Sequence, residues 1–170
     1  IAPTDAPPPA PAALSSSEQR VVTLVLAGHA RADGDAHARA IAARYGAVLE
    51  RVTAETLVAA MVARGPAIDL AASAARLALA LHAILPAAPI VVATGPGVVG
   101  GTLPVGEVID RGAHLLGDRG AGIWLDDVSA ALLAGRFDLV TDPRGARLVR
   151  ARAPESAPRT CSGAMYDGVP

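Results

Sequence analysis

The chain has 170 residues, 52% of them hydrophobic but only 2% aromatic, with a formal net charge of −1. That length fits one compact domain with tails, cored by Ala, Val, Leu and Ile, and the charge balance carries no nucleic-acid footprint. The single cysteine, Cys161, excludes an internal disulfide framework and a cysteine-based metal cage, and reads as an idle thiol in a tail.

Residues 1–17 hold Pro3, Pro7, Pro8, Pro9 and Pro11 and then three serines, a linker composition too poor in bulky apolar residues to fold alone. Residues 21–26 form an apolar run bounded by Gly28, which predicts a buried strand. Ala36, Ala40, Ile41 and Ala43 recur at helical spacing, so a helix is expected over 34–45, with Asp33 or Asp35 able to cap it and Gly46 to end it. Residues 48–52 and 56–62 read as two strands in hairpin order, without a strong turn signal between them. The longest helix is expected over 67–85, closed by Pro86, and the next strand over 90–94. A Gly-rich turn follows, and Pro104, preceded by Thr102, suits the first turn of a helix reaching Leu116. A strand at 123–125, a helix at 128–133 and strands at 137–140 and 146–149 complete the set.

The folded domain is therefore expected over 18–152, with a flexible tail at 153–170. The order β-α-β-β-α-β, with further α and β elements behind it, predicts an α+β fold, a ferredoxin-like sandwich with C-terminal α/β additions. Two helices would cover one face of a mainly antiparallel sheet. No run of eighteen apolar residues and no charged leader are present, so a soluble, cytoplasmic domain away from membranes is expected. Its start at Ile1 reads as a piece cut from something longer, and fifteen basic residues that are all arginine suggest a GC-rich bacterial source.

Four strings occur in a telling order. Residues 20–28 read RVVTLVLAG, residues 97–101 read GVVGG, residues 108–116 read VIDRGAHLL, and residues 124–137 read WLDDVSAALLAGRF. Together they resemble, over roughly 20–140, the first strand, glycine segment, motif helix and tail of the class III adenylate/guanylate cyclase domain. The resemblance is closer still to the degenerate cyclase-like segment of large bacterial, often myxobacterial, serine/threonine kinases that also carry an ATPase module. There, too, a Pro/Ala linker precedes a lead-in such as Ser16-Ser17-Glu18-Gln19-Arg20. The Arg-Thr-Leu-Leu-Gly run that follows in such proteins survives only in part, as Arg159-Thr160-Cys161-Ser162-Gly163.

The resemblance implies two-metal chemistry on ATP or GTP, with carboxylates holding the metals. The first carboxylate position falls at Gly28 and the second at Ala54, or at Glu55 with a one-residue slip. The ribose-orienting Asn corresponds to Asp110 and the transition-state Arg to His114. Arginine is always charged and forks onto phosphate, whereas histidine is mostly neutral at pH 7, so the exchange is not conservative. The purine-selecting Lys falls near Glu50 or Arg51, and the selecting Asp near Glu107. Gly28, Ala54, Glu55, Glu107, Asp110 and His114 thus mark a vestigial nucleotide cleft with no catalytic residues, no metal and no cofactor.

Other motifs have plainer readings. Residues 95–100 match G-x-G-x-x-G, but Pro96 removes a donor and the next helix begins near Pro104, so a strand-turn-strand accounts for them better than a dinucleotide site. His29, His37, His82 and His114 show no metal spacing, and His82 reads as a satisfied or half-exposed core histidine. Asp126 and Asp127 read as helix caps before Val128. Arg144, Arg147, Arg150 and Arg152 read as a solvated strand face rather than a phosphate or nucleic-acid site. The helix at 67–85 is different, because Ile68, Ala72, Ala75 and Leu79 make one apolar stripe and Leu70, Leu77, Leu81 and Ile84 another. It must be covered on two sides, by the sheet and then by a partner or the C-terminal strands.

The expected function is a non-catalytic regulatory or dimerisation module of a multidomain bacterial signalling protein, pairing as a homodimer or with another domain of its parent. Two rivals stay open. One is a sensor holding a nucleotide or effector near Glu107, Asp110 and His114. The other is a divergent cyclase using Mg and ATP or GTP through Glu55 and Asp110.

Overall fold

The computed structural model describes residues 19–98 and 106–153. The expected linker, the helix start at Thr102 and Pro104, and the tail beyond residue 153 with Cys161 lie outside the described residues. Within them the order is β1 (Gln19–Ala27), α1 (Asp35–Arg44), β2 (Val48–Arg51), β3 (Leu57–Val62), α2 (Ala67–Ile84), β4 (Pro89–Val98) and α3 (Glu107–Gly117). Then come β5 (Gly122–Leu125), α4 (Asp127–Leu133), β6 (Phe137–Asp142) and β7 (Gly145–Ala151). The strands form one sheet in the order β2-β3-β1-β4-β5-β7-β6. Every neighbouring pair is antiparallel except β4 with β5. The first four strands make the expected ferredoxin-like core, and β5 to β7 extend it into a mixed α+β fold.

Period-two burial decides which side each helix takes. Val25 and Ala27 of β1 and Ile90 and Val92 of β4 bury with α1, α2 and α4, while Val22, Leu24 and Leu26 of β1 and Val91 and Ala93 of β4 bury with α3. Among the described residues three helices therefore cover one face, where two were expected, and α3 alone covers the other. The second side of α2 is covered from within the domain, by α4 on one flank and α1 on the other. α2 has the length and mean hydropathy, 1.5 over 18 residues, of a membrane span. Ala71, Ala72, Ala74, Ala75, Leu77, Ala78 and Leu81 are nevertheless buried against the sheet and its flanking helices.

Two local expectations fail. The strand expected at 90–94 does not give way to a turn at Gly95, because β4 pairs with β1 as far as Val98, setting Pro96 against Val21. Proline is tolerated there because β5 pairs with β4 only up to Val92, leaving β4 a free edge among the described strands. The turn and second strand of that motif lie outside the described residues. Neither Asp33 nor Asp35 caps α1, whose N-cap is Gly34 with no side-chain bond. Asp35 is drawn away by Arg51, as shown below. Asp126 does cap α4, accepting from the Ser129 N–H at 2.9 Å, whereas Asp127 is an exposed first-turn residue.

Candidate functional site

β1 ends where the chain must turn sharply towards the β2–β3 loop. Gly28 N–H donates to the Pro89 carbonyl at 2.9 Å, His29 adopts a positive φ of 53°, and Ala30 N–H donates to the Glu55 carbonyl at 2.9 Å. The loop at 52–56 is closed by hydrogen bonds from Val52 and Thr53 N–H to the Thr56 carbonyl and from Glu55 N–H to the Thr53 hydroxyl. Gly28, Glu55 and neighbouring Ala54 thus converge at one end of the sheet.

Arg51 ties this end together. Its guanidinium donates to the carbonyls of Ala30 at 3.0 Å and Ala54 at 2.7 Å, and forks onto both oxygens of Asp35. Both partners are largely covered, with side chains 18% and 14% exposed. That bidentate bond, opposed in part by burial, holds the Asp35 carboxyl below the usual carboxylate range and pushes Arg51 up. The residue nearest a base-selecting position is therefore committed to holding the loop.

The residues expected at the carboxylate positions offer no pair of carboxylates. Gly28 has no side chain, and a Cβ built on it would lie 3.1 Å from Pro89 Cγ and 3.5 Å from Leu116. Ala54 offers only its carbonyl, already engaged by Arg51. Glu55 is exposed, with Oε2 3.8 Å from His29 Nδ1. Among the described residues, no three His, Cys, Asp or Glu side chains are placed to hold a metal together.

The helix residues stand elsewhere. Glu107, Asp110 and His114 lie three and four apart on the exposed side of α3, and among the described residues His114 pairs only with Asp118 at 3.6 Å. The other side of α3, with Ile109, Ala113 and Leu116, meets Leu26, Val58 and Pro89 around a cavity of about 420 Å³ that also reaches Gly28, Glu55 and Arg119. The structure gathers Gly28 and Glu55 at this cavity and leaves Glu107, Asp110 and His114 outside it. At its rim the Arg119 guanidinium lies 5.0 Å from the Trp124 ring centroid, and Arg147 lies 5.4 Å from it. Arg119 Nε is buried without a hydrogen-bond partner. So is His82 Nδ1; His82 itself is half-exposed, the second of the two expectations for it.

A second polar cluster was not legible in the sequence. Buried Asp126 accepts from Thr94 N–H at 3.3 Å, from Ser129 N–H and from Arg111 Nε at 2.9 Å, while Arg111 also donates to the Thr94 carbonyl at 2.8 Å. The ion pair satisfies both backbone groups of Thr94 on the free edge of β4, as a neighbouring strand would. Thr94 Oγ1 bonds Thr23 Oγ1 at 3.0 Å and Ser129 Oγ at 2.9 Å, extending the cluster to β1 and α4. Gly95 leaves room for the arginine to pass, since a Cβ there would lie 2.9 Å from Arg111 Nη2. Two threonines inside apolar strands were the available signal.

No family profile and no curated protein matches the sequence. Solved structures do match. The monomeric guanylyl cyclase domain of the RhoGC fusion protein from the aquatic fungus Blastocladiella emersonii is 13% identical, with a TM-score of 0.67 over 80% of this chain and 98% of that one. A dimeric form of the same domain matches with a TM-score of 0.63 at 12% identity, covering 80% and 98% of the two chains. The adenylyl cyclase CyaB from P. aeruginosa matches with a TM-score of 0.64 at 12% identity, covering 79% and 96%. At such identities the likeness is one of fold, and the fold of this chain is that of the adenylyl and guanylyl cyclase domains.

Proposed function

We propose that this domain is a non-catalytic cyclase-fold module, used for regulation or pairing within a larger signalling protein that carries a serine/threonine kinase. The observation that carries the reading is the end of β1, where Gly28, the residue the sequence resemblance sets at a metal carboxylate's position, is packed under Pro89 and Leu116. Support also comes from Arg51, committed to Asp35 and two loop carbonyls. The kinase context rests on the Pro/Ala-rich lead-in and the Ser-Ser-Glu-Gln-Arg string at 16–20. Pairing is supported by the dimeric form of the Blastocladiella domain and by Val48 and Val52, each 51% exposed near the β2 edge. The test is incubation of the full chain with ATP or GTP and Mg²⁺ or Mn²⁺, read by cyclic nucleotide formation and by sedimentation. The reading expects no cyclic product and a sedimentation coefficient indifferent to nucleotide. Metal-dependent cyclic nucleotide formation overturns it.

One observation favours a second reading, a sensor for a small amphipathic acid. The 420 Å³ cavity has a mainly apolar lining with Glu55, His29 and two threonines towards the β2–β3 loop, and one guanidinium whose Nε lacks a partner among the described residues. Saturable binding abolished by Arg119→Gln would favour it over a purely structural module.

A further inference from the structure

A further cavity lies away from the Gly28 end of the sheet, where α2, the α4–β6 turn and β7 meet. It encloses about 920 Å³ and is lined by Arg76, Arg136, Asp138, Arg150 and Arg152. Four arginines from three stretches of the chain are thus brought to one concavity, and two of the four that read as a solvated strand face belong to it. Arg150 and Arg152 each place Nε on a different oxygen of Asp138, at 2.7 and 2.8 Å. Arg136 pairs with Asp69 at 2.7 Å. Arg76 stands 5.7 Å from the Phe137 ring centroid and pairs with no carboxylate among the described residues.

We propose that this cavity binds a phosphate group, free or carried as a phosphomonoester. Four guanidinium groups face two carboxylates, leaving two positive charges uncompensated, the charge of a phosphomonoester near neutral pH. Guanidinium forks match phosphate oxygens geometrically, and two of them already converge on a bound oxyanion, the Asp138 carboxylate. Among the described residues the lining offers no exposed aromatic ring on which a base could stack, which argues against single-stranded nucleic acid as the source of the phosphate. Asp138 acts as a competing internal anion, so its removal strengthens binding.

The test follows the arginine side-chain N–H signals of the full chain by ¹⁵N NMR at constant ionic strength. One titration uses inorganic phosphate and another a phosphoserine peptide beside its unphosphorylated form. Saturable shifts at Arg76, Arg136, Arg150 and Arg152, with Arg119 and Arg147 unmoved, are expected. The double substitution R150Q/R152Q should weaken binding about tenfold or more, the loss expected for two charge-assisted hydrogen bonds. D138N should tighten it. A peptide that binds much more tightly than inorganic phosphate identifies a phosphoprotein source, and equal binding identifies free phosphate. Shifts spread over all arginines, or binding unchanged in R150Q/R152Q, overturn the proposal.

Discussion

Replacing Asp126 with alanine tests whether an ion pair stands in for a strand on the free edge of β4. Asp126 is 3% exposed and accepts from two backbone N–H groups besides Arg111. Loss of the α4 cap costs about 1 kcal/mol. The Thr94 N–H, stranded in a buried position, costs about 1–3 kcal/mol. Arg111 loses its counter-charge, but with its side chain 39% exposed, water recovers much of that term. The total is about 3 kcal/mol, or a fall in Tm of about 6–12 °C for a chain of this size. Urea titration followed by the fluorescence of Trp124 measures it directly. D126N, which keeps an acceptor oxygen but no charge, should cost about half as much. A loss below about 1 kcal/mol for D126A, or for R111A, which strands the buried carboxylate and the Thr94 carbonyl without a partner, would refute the reasoning, because water can serve the arginine's side of the pair but not the aspartate's.

Three further outcomes follow from the geometry. Gly95→Ala sets a methyl in the path of Arg111 and should destabilise by about 1–3 kcal/mol, and the same change made in an R111A background should cost clearly less by urea titration. Gly28→Asp should lower stability by about 1–3 kcal/mol through overpacking against Pro89 and Leu116; adding L116A should recover part of it, and G28D/A54D should still yield no cyclic nucleotide from ATP or GTP. Asp35 and Asp138 are both held below their ordinary value of 3.8, by Arg51 and by Arg150 with Arg152 respectively. A carboxyl depressed in the folded state stabilises fully above its unfolded value and loses that contribution as pH falls through the folded one. Tm should therefore be flat from pH 7 to about 5 on account of these groups and fall below about 4, with D35N and D138N each blunting the acid limb. A Tm that falls by pH 5 in the wild type but not in D35N/D138N would contradict this.

The sheet's element order was readable because its strands are runs of Val, Leu and Ala bounded by glycine or proline, and the helices keep their spacing. What misled was punctuation. Gly95, Pro96 and Gly97 carry every local sign of a turn, yet the nine-residue partner β1 holds them extended, and only the pairing register, with β5 ending at Val92, reveals that the far edge is free for proline among the described strands. Asp35 has the position of a cap, but a bidentate arginine sixteen residues away outcompetes a backbone N–H for its oxygens. Asp126 was legible as a cap because that bond is local, whereas its bonds to Arg111 and Thr94 cross the sheet edge. The sequence could not show that the expected cleft positions stand apart, since the side of α3 that faces the cavity brings Ile109 and Leu116 there rather than Asp110 and His114.

The chain holds one tryptophan, and it stands between two guanidinium groups, one of which also forms the rim of the 420 Å³ cavity. That placement turns Trp124 into a built-in optical gauge. Whatever draws Arg119 towards the cavity takes a cation off the indole face, so occupancy can be read as a change in emission from unlabelled protein, with no second tryptophan to confuse the signal.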